Sequence, residues 1–86
     1  MTVKLWLYSR AGCHLCDEML KELEALQRTT AGKFTVDVLD IGRDPELHRR
    51  YSLRIPVLAV AASGEVLCEA RFNRKAVLDH LTLSTQ

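Results

Sequence analysis

Tyr8-Ser9-Arg10-Ala11-Gly12-Cys13-His14-Leu15-Cys16 is the stretch in which the chain changes its period, and its reading decides the fold. Before it, Val3, Leu5 and Leu7 alternate with Lys4, Trp6 and Tyr8, the period-two pattern of a strand. After it, Leu15, Met19, Leu23 and Leu26 recur at spacings of three and four, with Leu20 widening the stripe. Asp17, Glu18, Lys21, Glu22, Glu24, Gln27 and Arg28 take the other side. The pattern predicts an amphipathic helix of about four turns with Gly32 as its stop. Two cysteines three apart therefore lie at a strand-to-helix junction, where unpaired backbone N–H groups carry a partial positive charge.

Working outward, Phe34 to Ile41 is rich in β-branched and apolar residues and reads as a second strand. Asp44-Pro45 has the form of an N-cap followed by a first-turn proline, opening a short helix with Leu47 and Tyr51 on one face. Pro56 opens a third strand whose residues, Val57 to Ala61, are all apolar, as expected for a strand covered on both faces. Ser63-Gly64 is a hairpin turn into a fourth strand, Glu65 to Arg71. Asn73 caps a last helix that turns Val77, Leu78 and Leu81 to the core, and residues 82–86 form a fraying tail. The order βαβαββα calls for parallel first strands, an antiparallel final hairpin, and helices on both faces of one mixed sheet.

With 86 residues there is room for one domain, 1–86, and 48% hydrophobic with 27% charged residues describes an ordinary globular protein. A formal charge of +1 lacks the basic excess of a general nucleic-acid binder. The longest apolar run, Ile55 to Ala62, is eight residues, far short of a membrane span, and the first residues show no basic stretch leading into an apolar leader. An odd cysteine count, with two so close, does not suit a disulfide framework. The expected setting is the reducing cytoplasm.

In that setting a Cys-x-x-Cys pair points to redox chemistry or to a metal. A thiol attacks as its thiolate, which Cys13 at the helix start favours. Cys16, one turn on, is within reach of a mixed disulfide formed there. Arg10 and a protonated His14 would stabilise the anion, whereas Asp17 and Glu18 would oppose it. A zinc site would need two further ligands, and Cys68, His48 and His80 do not form a second half-site. A redox-inert pair is the third alternative. Cys68 reads as a small buried hydrophobe and Trp6 as sheet packing. Arg49, Arg50, Arg54, Arg71 and Arg74 read as a solvated basic surface that could also rim a site for carboxylates.

The stretch from Tyr8 to Cys16 resembles the opening of the glutaredoxins, where a strand ends in Tyr-Ser-Lys shortly before Cys-Pro-Tyr-Cys; Arg10 stands where that family has lysine. Asp40-Ile41, Asp44-Pro45-Glu46-Leu47 and Tyr51-Ser52-Leu53-Arg54-Ile55-Pro56-Val57-Leu58 resemble the thioredoxin-superfamily segment that leads to its cis-proline. The likeness extends through Ser63-Gly64-Glu65-Val66 and is closest to the small glutaredoxin-like group that encloses His-Leu between its cysteines.

The resemblance implies a thioredoxin-like α/β fold and a thiol–disulfide oxidoreductase, with Cys13 as nucleophile and Cys16 as resolving thiol. It implies a cis Pro56 beside Cys13 and an Ile55 whose backbone pairs with an extended substrate. Arg10, His14 and Leu15 complete the implied substrate contacts. The implied partner is a disulfide-bearing protein or small thiol acting on a monomer, with glutathione as a co-substrate and no tightly bound cofactor or metal. The family's cluster-holding members imply a second reading as a metal or iron–sulfur module, and a redox-inert adaptor is a third. Two departures stand out. His14 and Leu15 replace proline and tyrosine between the cysteines. Ala70-Arg71-Phe72-Asn73-Arg74 lacks the Gly-Gly and acidic residue with which glutaredoxins hold the γ-glutamyl end of glutathione.

Overall fold

The two strands buried on both faces, β1 (Val3–Ser9) and β3 (Val57–Val60), lie side by side at the centre of a four-stranded sheet. A computed structural model describes residues 2–84 and gives the sheet order β2-β1-β3-β4, with β2 spanning Phe34–Asp40 and β4 spanning Val66–Glu69. β1 runs parallel to β2 in the register Leu5↔Val36 and antiparallel to β3 in the register Leu7↔Leu58. β3 and β4 form the antiparallel hairpin, in which Gly64 takes φ +79° and Ser63 Oγ accepts the Glu65 N–H at 3.2 Å. The parallel pair follows from the helix joining its strands, because only a crossover returns the chain in the same direction.

The alternation read from β1 sorts side chains onto the two faces. Leu5, Leu7, Leu58 and Val60 pack under α1 (His14–Thr29) and α3 (Arg74–Ser84), meeting Met19, Leu23, Leu26, Val77 and Leu81. Tyr8, Val57 and Ala59 pack on the other face with Ile41, Leu47 and Tyr51, the last two from α2 (Pro45–Tyr51). Tyr8 and Tyr51 stack with centroids 4.3 Å apart. Asp44 caps α2 as expected, its carboxylate accepting the Glu46 and Leu47 N–H groups. Asn73 Oδ1 caps α3 through the Ala76 N–H at 3.1 Å.

Several boundaries differ from the sequence reading. Leu15, assigned to the buried stripe of α1, is 51% exposed, and Cys16 takes the inward place beside Met19. A thiol and a leucine are both apolar, so periodicity alone cannot choose which of two adjacent positions opens the stripe. β2 ends at Asp40, because Ile41–Arg43 forms a 3-10 turn capped by the Asp40 carboxylate on the Gly42 N–H. β4 stops at Glu69 rather than Arg71, because Ala70 adopts φ +65° and the Arg71 N–H turns back to the Glu69 carbonyl at 2.7 Å. β3 is one residue shorter than expected and β1 one longer. α3 runs through Ser84, into the segment expected to form the tail; Thr85 and Gln86 lie outside the described residues.

The two-sided core predicts a sharp contrast between leucines. Leu23→Ala, at a fully buried position, should cost about 2–5 kcal/mol, whereas Leu53→Ala, 99% exposed, should stay within about 0.5 kcal/mol of wild type in urea unfolding.

Candidate functional site

The β1 chain leaves the sheet at Ser9 and must reverse before α1 can pack back over it. Gly12, at φ +76°, supplies a backbone conformation that an L side chain seldom adopts, and the Cys13 N–H closes the turn on the Arg10 carbonyl at 3.3 Å. Cys13 is then the N-cap of α1. Its Sγ accepts the Cys16 N–H at 3.1 Å, and its carbonyl accepts the Asp17 N–H. A sulfur therefore occupies the place usually held by a serine or aspartate oxygen, at the positive end of a sixteen-residue helix.

Cys13 and Cys16 are joined by a disulfide with their Cα atoms 5.2 Å apart. The two sulfurs differ in access: Cys13 is half-buried, while Cys16 is 1% exposed and closed in by the core. An incoming molecule meets Cys13. Of the residues between them, His14 is exposed and its Nε2 lies 3.2 Å from Glu18 Oε1, one helical turn on. Leu15 projects outward beside the pair.

Antiparallel pairing brings the second part of the site to the same end of the sheet. Tyr8↔Val57 is the last β1–β3 pair, so Pro56 and Ser9 stand just beyond it, where the cysteine turn begins. The Ile55–Pro56 peptide is cis, Pro56 is buried, and its carbonyl accepts the Ala70 N–H at 2.8 Å. Ile55 is half-buried with its N–H donated to the Tyr51 carbonyl at 3.0 Å, and the Arg54 N–H shares that carbonyl at 2.8 Å. The Arg54 guanidinium hydrogen-bonds the Glu69 carboxylate and lies 5.2 Å from the Tyr51 ring centroid. That hydrogen bond holds the Glu69 carboxyl below the usual carboxylate range. The proline loop is thus tied to α2, to β4 and to the turn after β4.

Arg10 is exposed and borders a small depression with Ser9, Ala11, Val38 and Asp40, on the β2 side of the cysteine turn. A larger groove of about 650 Å³ opens on the other side, between α1 and the turn after β4, lined by Leu15, Glu18, Met19, Glu22, Arg71 and Phe72 among others. Sequence reading placed Leu15 near a substrate but left Phe72 without a role and put Glu18 and Glu22 on a solvated helix face. The signal was the spacing Leu15, Glu18, Glu22, one side of α1. Only the turn at Ala70 shows what faces it.

Cys68 is 3% exposed in the α1–α3 core. Its Sγ accepts the Asn73 N–H at 3.3 Å and faces the Asn73 carbonyl at 3.7 Å, pinning the start of α3 from within. Burial pushes its thiol above the usual range, against a smaller opposing effect of the Asn73 backbone. Among the described residues, no group of three or more His, Cys, Asp or Glu side chains is gathered for a metal, and no helix is long and apolar enough to cross a membrane.

The sequence profile of the glutaredoxin-like domain (DUF836) matches residues 4–82. Among solved structures, protein Ne2328 from Nitrosomonas europaea is 33% identical, with a TM-score of 0.80 over 91% of this chain and 89% of that one. Protein XcR50 from X. campestris is 34% identical, with a TM-score of 0.64 over 92% and 96% of the two chains. Thioredoxin 1 from the thermophilic eubacterium Thermosipho africanus shares the fold, with a TM-score of 0.61 at 14% identity over 96% of this chain and 99% of that one. No curated protein matches the chain by sequence.

With Cys13 and Cys16 oxidised, Cys68 is the one remaining thiol of the three, which makes its titration readable. Its raised folded-state value means that the unfolded thiol ionises first as pH rises. Its contribution to stability is therefore complete below about pH 8.5 and is lost as pH climbs toward the folded value. Urea unfolding of the oxidised protein should show stability falling over that range with a steeper slope than in Cys68→Ala. Iodoacetamide should modify Cys68 only after unfolding.

Proposed function

The chain belongs to the glutaredoxin-like domain family, and from that premise we propose that it is a thiol–disulfide oxidoreductase in which Cys13 is the nucleophile and Cys16 the resolving thiol. The observation that carries this reading is the asymmetry of the pair: one sulfur caps the helix and meets solvent, and the other lies one turn inside and is closed to it.

In the reduced protein, the Cys13 thiolate sits where the Cys16 N–H and the helix N-terminus stabilise negative charge. It attacks one sulfur of a substrate disulfide, forming a mixed disulfide and expelling the other sulfur as a thiolate. Cys16 attacks the Cys13 sulfur, closing the Cys13–Cys16 bond and releasing the second substrate sulfur, which takes up the Cys16 proton as it leaves. Two electrons pass from the pair to the substrate, and a small thiol such as glutathione returns them by the same exchange in reverse.

The substrate backbone lies against the Ile55–Pro56 edge, its N–H donated to the Ile55 carbonyl, since the Ile55 N–H is directed to Tyr51. Leu15 supplies apolar contact beside the reacting sulfur. The exposed Arg10 supplies positive charge at the turn, for a carboxylate of the substrate or for the departing thiolate, and the exposed His14 contacts the substrate between the cysteines. The protein works as a monomer in a reducing compartment on disulfide-bearing proteins or small thiols.

Cys16→Ser should accumulate a mixed disulfide on Cys13 when mixed with an oxidised substrate, visible by mass spectrometry and released by reductant. Cys13→Ser should lose exchange to the uncatalysed background. Retention of exchange in Cys13→Ser would overturn the assignment of roles.

A further inference from the structure

The groove beside Leu15 does not end at the first turns of α1. A second depression, of about 350 Å³, continues it through Glu22 and Phe72 toward Thr29 and Arg74. The two together follow α1 from Leu15 to Thr29, about 21 Å at 1.5 Å per residue. An extended chain advances about 3.3–3.6 Å per residue, so the length suits about six residues, twice that of a tripeptide. The mouth of this groove is Leu15, one of the two residues between the cysteines.

Its chemistry is two-sided. Phe72 is half-buried at the point where the two depressions meet, with Met19 below the first and Leu26 below the second, which makes an apolar floor. Arg71 and Arg74 form the wall beyond α1, both exposed, and neither has an ion-pair partner among the described residues. On the α1 wall, Glu18 lies 3.2 Å from His14 Nε2, and Glu22 stands with Lys21, which has no ion-pair partner among the described residues. Three cations, Lys21, Arg71 and Arg74, thus line the groove with two carboxylates, Glu18 and Glu22. Arg71 stands on this wall because Ala70 takes a positive φ and the chain doubles back, while Cys68 pins Asn73 from inside.

We propose that the groove along α1 holds an extended, acidic polypeptide segment of a protein substrate, next to the disulfide being exchanged. An apolar side chain of the segment rests on Phe72, and its carboxylates face Arg71 and Arg74. The inference rests on the dithiol reading for the word substrate, but not for the binding itself. It gives the protein a preference by charge and length that a small disulfide could not satisfy.

Two measurements test the proposal and separate it from the redox reading. The first uses a fluorescein-labelled, cysteine-free nonapeptide with a central leucine flanked by aspartates, and a twin with lysines in their place. Fluorescence anisotropy with the oxidised protein should show the aspartate peptide binding about tenfold tighter, a preference that reverses in Arg71→Glu/Arg74→Glu and shrinks in high salt. Both arginines are exposed, and circular dichroism of the double variant checks that its fold is kept. The second measures reduction of the same two peptides carrying a cysteine in mixed disulfide with a small thiol. The ratio of their rates should follow the anisotropy in wild type and invert in the variant.

Equal binding of the two peptides, or binding of neither, overturns the groove even if both disulfides are reduced. Charge-dependent binding without reduction of any disulfide keeps the groove and removes the redox reading. Self-association in ultracentrifugation that the double variant abolishes would give the groove to a second copy and also overturn the proposal.

Discussion

The antiparallel pairing of β1 with β3 is the constraint on which the working end of the molecule depends. Both strands are buried on both faces, so their register is held by two cores at once, and a slip of one residue would turn Leu5 and Leu7 away from one core and Tyr8 from the other. Because the pairing ends at Tyr8↔Val57, the turn that carries the cysteines and the loop that carries Pro56 must emerge together. Nothing local to either loop produces that meeting.

Within the site, one sulfur does two jobs. Cys13 closes the helix by accepting the Cys16 N–H, and the same N–H is the donor that an anionic sulfur needs. In the exchange proposed above, helix capping and thiolate stabilisation are the same interaction seen in two oxidation states. Cys16 in place of Leu15 on the inward stripe is the other half of the arrangement: the second sulfur is buried, and the displaced leucine becomes surface beside the first.

The proline loop and the turn after β4 are mechanically joined. The Pro56 carbonyl takes the Ala70 N–H, and Arg54 reaches across to Glu69 while covering the Tyr51 ring. Exposed ion pairs of this kind contribute little to stability, so the Arg54–Glu69 contact matters here for where it holds the chain. Cys68, outside the disulfide pair, fixes the far side of the same turn through Asn73. Its position gives the third cysteine a structural place in the core, apart from the Cys13–Cys16 pair.

The sequence by itself determined the elements and their order, because period, caps and turn residues are local: alternation in β1, Asp44-Pro45 before α2, Ser63-Gly64 in the hairpin, Asn73 before α3. It also marked the dithiol and, through resemblance, the cis peptide before Pro56. What tertiary structure decided was which neighbour of an apolar pair turned inward, where β4 ended, and what faced α1 across a groove. Leu15 and Cys16 are alike in polarity, so the choice fell to packing against β1 and β3. Ala70 carries no turn signature, so its positive φ came from the tie to Pro56 and the pin at Cys68. Those contacts join residues far apart in the chain, and no local pattern encodes them.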